Sequence, residues 1–93
     1  MRGMQEREQP EHVLNRQEVL NHHWPREPQG YRYYEPGIPV QVRIVWEQDG
    51  EEFVEGVARC WDPSHVYVEV RDIRNATNGV WVKPHDVYRR LPT

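Results

Sequence analysis

Valine alternates with other residues through Val66-Tyr67-Val68-Glu69-Val70, the pattern of a strand with one face in a core. Val80-Trp81-Val82 repeats the pattern a short loop later and is the expected partner of that strand. Val40-Gln41-Val42-Arg43-Ile44-Val45-Trp46 alternates in the same way, with Val40, Val42, Ile44 and Trp46 on one face. Phe53 to Trp61 reads as the next strand, and Gly56 within it predicts a bulge or a sharp bend. Turn chemistry separates these runs: Asp49-Gly50 in the acidic stretch Glu47–Glu52, then Asp62-Pro63-Ser64-His65. Asp72 to Gly79 is a polar loop, Pro84-His85-Asp86 a single helical turn, and Val87 to Leu91 a short closing strand.

The first part of the chain patterns differently. Residues 1–9 are charged and featureless and predict disorder. A short helix is expected over about residues 11–23, opened by Pro10 and Glu11, with Val13, Leu20 and Trp24 on one face and Trp24-Pro25 as its end. That stripe is thin, so the helix needs something to dock on. From Pro25 to Pro39, prolines and glycines exclude helix and predict extended or polyproline-like backbone. Tyr31, Tyr33 and Tyr34 read either as packing over an open end of the folded unit or as part of a recognition peptide. The expected organisation is an N-terminal arm, 1–39, and a folded all-β unit, 40–93.

At 93 residues there is room for one small domain. The net charge of −3 argues against a general nucleic-acid coat, which needs excess Lys and Arg. Cys60 is the only cysteine, so no intrachain disulfide can form. No apolar run nears the ~20 residues of a membrane span, and the polar start lacks a signal peptide's apolar region. A cytoplasmic location and no membrane partner are the expectation.

A long strand, an acidic loop, a three-stranded meander, one helical turn and a short closing strand form an order that resembles the SH3-like small barrels, Tudor and related bacterial domains included. Val80-Trp81-Val82-Lys83-Pro84-His85-Asp86-Val87-Tyr88-Arg89-Arg90 carries most of the likeness, which covers residues 40–91. It implies a five-stranded barrel and fixes no function, because this fold hosts many. Peptide-binding SH3 domains carry an Ala-Leu-Tyr-Asp-Tyr-type motif on their first strand, where this chain has Val-Gln-Val-Arg-Ile-Val-Trp. The plasmid-borne dihydrofolate reductase of this fold uses Val-Gln-Ile-Tyr-Pro. Val80 to Pro84 keeps the valine and proline positions without the glutamine and tyrosine.

Chemistry is sparse. His12, His22, His23, His65 and His85 lack metal-ligand spacing, so neither a metal nor a cofactor is expected. Ser64 and His65 with Asp62 are neighbours in a tight turn, and there is no nucleophile elbow or phosphate loop, so no catalytic residue is assigned and no enzyme is expected. Aromatics beside charge remain. Alternation turns Tyr67 and Trp81 outward from the valine face. Trp61 follows them if a bulge returns Ala58 and Cys60 to the interior, and points inward if the turn is symmetric. An exposed patch of Trp61, Tyr67 and Trp81 beside Glu51 and Glu52 predicts a non-enzymatic module binding a peptide or protein partner, unless the arm covers it. The alternative is a nucleic-acid-binding accessory protein, with Arg71, Arg74, Arg89 and Arg90 meeting phosphates.

Overall fold

A computed structural model describes residues 16–26 and 30–89. The described part is mostly strand: β1 (Arg32–Trp46), β2 (Gly50–Asp62), β3 (His65–Glu69), β4 (Gly79–Val82) and β5 (Val87–Arg89), with one 3-10 turn at Pro84–Asp86. All pairings are antiparallel, in the spatial order β4-β3-β2-β1-β5. β4 and β5 lie at the two ends of this order and do not pair with each other, so the sheet itself is not closed.

The valine alternation defines the core as expected. Val40, Val42, Ile44 and Trp46 of β1 meet Ala58 of β2, Val66 and Val68 of β3, and Val80 and Val82 of β4 in one buried cluster. Gly50 closes the β1–β2 turn with a φ of 79°, a left-handed conformation that glycine adopts without a Cβ clash. The irregularity in β2 falls between Ala58 and Cys60 rather than at Gly56. Gly56 serves close approach instead: a Cβ there would sit 2.6 Å from Val68 Cγ1 and 2.7 Å from the Glu69 carbonyl oxygen.

Two expectations for the first part of the chain change. β1 begins at Arg32, eight residues before the expected start at Val40, and Arg32 and Tyr33 pair with Trp61 and Cys60 of β2. The tyrosine-rich stretch is therefore sheet. Pro36 is tolerated because the register breaks between Tyr33 and Ile38, whereas Pro39 stays in register opposite Val57. Residues 16–23 are not helical: Val19 makes an isolated bridge and Leu20 and Asn21 form a turn, while the rest of the expected helix, and the expected disorder at 1–9, lie outside the described residues.

The reason that the arm is not helical is a backbone requirement of β1. β5 pairs only with Val40, Val42 and Gln41 between them, leaving the edge of β1 beyond Val42 without a strand. The arm fills it. Leu20 N–H donates to the Val45 carbonyl at 2.7 Å, Glu47 N–H donates to the Glu18 carbonyl at 2.9 Å, and Val19 bridges Trp46. Further along, His23 N–H donates to the Trp81 carbonyl of β4 at 2.7 Å. A buried strand edge with unpaired N–H and C=O groups is costly, and these bonds outweigh the weak helical preference of the segment. The arm so spans the seam between the edges of β1 and β4.

Candidate functional site

The residues expected to form one outward patch lie on two faces. Tyr67 pairs with Cys60 and Trp81, whereas Trp61 pairs with Val66 on the valine face. The bulge at Arg59 does turn Ala58 inward, but it leaves Trp61 inward as well and puts Cys60 on the Tyr67 side. Trp61 is partly buried, packs against the core cluster and stacks on Tyr34 with ring centroids 6.1 Å apart.

Trp81 is not exposed: only 6% of its surface reaches solvent. The Tyr31 ring lies 4.9 Å from it, Tyr67 5.2 Å and His65 6.5 Å, and the His23 bond holds its backbone. The sheet thus has a second, smaller apolar layer, roofed by the chain's own Tyr31. Burial pushes the Tyr67 phenol above its usual range, and the nearby Glu69 carboxylate adds to it. Burial likewise pushes the Cys60 thiol up, which keeps it protonated and a poor nucleophile.

The acidic residues are engaged too. Glu51 accepts from Arg43 Nε at 2.6 Å, and Arg43 Nη1 reaches the buried Asp86 at 3.2 Å. Glu52, opposite Ile44, belongs to a cluster around Arg74. The Arg74 guanidinium donates to both oxygens of Glu52, both of Asp72 and one of Asp49, all at 2.8–2.9 Å. It lies over the Trp46 ring, 4.3 Å from the centroid. These bonds hold the carboxyls of Asp49, Glu52 and Asp72 below the usual range.

Of the arginines considered for phosphate, Arg74 is therefore committed to carboxylates. Arg71 is well exposed and pairs with Glu69, while Arg89 sits on β5 across the sheet from it. The structure does not bring these three together, and Arg90 lies outside the described residues. His65 Nδ1 is 3.0 Å from Asp62 Oδ1, and Ser64 donates its backbone N–H to the same oxygen, so this trio closes a turn. Among the described residues no group of three His, Cys, Asp or Glu is placed to hold a metal, and no helix is long and apolar enough to cross a membrane.

The aromatic surface that does face solvent was not singled out in the sequence. Phe53 and Tyr88 are 51% and 49% exposed, with ring centroids 5.6 Å apart. Register explains the pairing: Arg43 is opposite Phe53, and Gln41 lies between Tyr88 on one side and Glu55 on the other. Glu51, Phe53 and Glu55 alternate along β2 and so share this outer face. That alternation was the available signal. No family model matches the chain, and no curated protein or solved structure is significantly similar to it.

Proposed function

We propose that the chain is an SH3-like, non-enzymatic protein-interaction module that binds a protein partner through an exposed aromatic and acidic sheet face. The return of β5 to β1 after a 3-10 turn, in the order β4-β3-β2-β1-β5, supports the SH3-like reading. The observation that carries the binding reading is the half-exposed pair Phe53 and Tyr88, flanked on β2 by Glu51 and Glu55. Two large rings left half in water on one face suit a partner that offers apolar side chains. This face replaces Trp61, Tyr67 and Trp81 as the binding surface, because Trp81 is buried beneath Tyr31, Tyr67 is half-buried beside it, and Trp61 packs on the core.

The test is a double substitution, Phe53→Ser with Tyr88→Ser. Both side chains are half in solvent, so the melt should shift only modestly, by about 0.5–1.5 kcal/mol for the lost ring pair. A photo-crosslinker at Gln41 should capture one specific partner with the native face and lose it in the double variant. Equal capture by both proteins would sink this reading. A salt-sensitive oligonucleotide shift, with no protein captured, would favour the nucleic-acid alternative instead.

A further inference from the structure

The seam between β1 and β4 has the attributes of a binding groove, and three of the contacts that the arm makes in it bear on recognition, beside the Gln17 side chain that accepts from the Gln48 and Asp49 N–H groups. The first is strand addition, through the backbone bonds of Glu18, Leu20 and His23 to Glu47, Val45 and Trp81. Such bonds supply affinity for any extended segment and no selectivity.

The second is an apolar anchor. Val19 is 6% exposed and joins the core cluster alongside Trp46, while its neighbour Leu20 is 56% exposed. The pocket admits one side chain and passes over the next.

The third is the amide of Asn21. Its Nδ2 donates to the Arg43 carbonyl at 2.9 Å and to Asp86 Oδ2 at 3.1 Å, and its Oδ1 accepts from Val45 N–H at 2.9 Å. Donor and acceptor are both required, on atoms whose positions are set by β1 and by an aspartate only 3% exposed. Aspartate in its place would set a carboxylate against Asp86 and the Arg43 carbonyl. Leucine would leave Val45 N–H unpaired. Glutamine places its amide one methylene too far.

We propose that this seam is a peptide-recognition groove, filled in the free chain by its own residues 17–25. The ligand class that it accepts in trans is a protein segment with a β-branched aliphatic residue followed, across a turn, by asparagine two places later. The resident segment is a tethered competitor at an effective concentration of about millimolar, so a partner must outcompete it. The side chains of Leu20 and Trp24 are exposed and are free to vary in a ligand.

The test keeps every residue of the protein. A protease site is inserted between Arg26 and Gly30 of the full chain, the purified protein is cut, and fluorescein-labelled peptide of residues 16–26 is added. Saturable binding is expected, reversed by unlabelled peptide. Peptides carrying Val19→Asp or Asn21→Ala should each bind about ten-fold more weakly or worse, and Leu20→Ser should bind like the parent. The idea is overturned if the cut protein keeps its β signal yet takes up no peptide, or if all peptides bind alike. Permanent loss of the β signal on cutting overturns it as well, since residues 16–26 are then a piece of the fold and not a ligand. A concentration-dependent dimer of the uncut chain, abolished by Asn21→Ala, would make the occupant a second copy and overturn the partner reading. Phe53 and Tyr88 lie outside this groove, so this test and that of the outer face succeed or fail separately.

Discussion

Replacing Val68 by aspartate is expected to abolish folding. Val68 is fully buried in the middle of β3, opposite Ala58 on one side and Val80 on the other. An aspartate there places a carboxylate among valines with no cation or donor nearby. The cost of burying it unpaired, about 4–5 kcal/mol or more, is comparable to the whole stability of a domain this small. The matched surface control is Ile73→Lys, at a side chain 60% exposed. Far-UV circular dichroism with a thermal melt should show a cooperative transition for Ile73→Lys and none for Val68→Asp. Two similar melts would overturn the assignment of the valine face as the core.

Arg74→Met carries the second large effect, and it should depend on pH. The substitution leaves Asp49, Glu52 and Asp72 close together without their shared cation and removes the cover of Trp46. At neutral pH the melting temperature should fall by about 10 °C. The folded-state pKa values of these three carboxyls lie below their unfolded ones. Their contribution is therefore complete above about pH 5, past the unfolded values, and is lost as pH falls through the folded ones. The gap between parent and variant should narrow below about pH 4, as protonation removes the repulsion left in the variant. A gap independent of pH would assign the effect to lost packing on Trp46 alone.

Much of the sheet was legible because alternation and turn chemistry agree. Val66 to Glu69, Val80 to Val82, the Asp62–His65 turn and the Pro84–Asp86 turn stand where the residues predict them. Alternation reports which side chains share a face, but not whether the other face is bare. Tyr67 and Trp81 do leave the valine face, yet Tyr31, far away in sequence, roofs Trp81 and buries it. The arm misled for a related reason. Its apolar spacing fits a helix, but the deciding quantity is the unpaired edge of β1, which no local pattern reveals. Arg74 looked free for phosphate because its three carboxylates converge only in the fold, from the β1–β2 turn, from β2 and from the loop after β3. Phe53 went unnoticed as a single ring between two glutamates, with Tyr88 brought beside it by β5.

The division of one edge of β1 between β5 and the arm has a kinetic consequence. The arm leaves the ribosome before either of its docking edges exists, so its seating is a late, non-local event and not a nucleus. Until then the stretch beyond Val42 is an open edge of the kind that seeds aggregation. Two amides on it report the closure directly, because Val45 N–H and Glu47 N–H donate to Asn21 Oδ1 and the Glu18 carbonyl. In native-state hydrogen exchange these two protons should be released at lower free energy than the β2–β3 amides, and Asn21→Ala should speed them alone. Exchange of Val45 and Glu47 at the global rate would instead make arm and sheet a single cooperative unit.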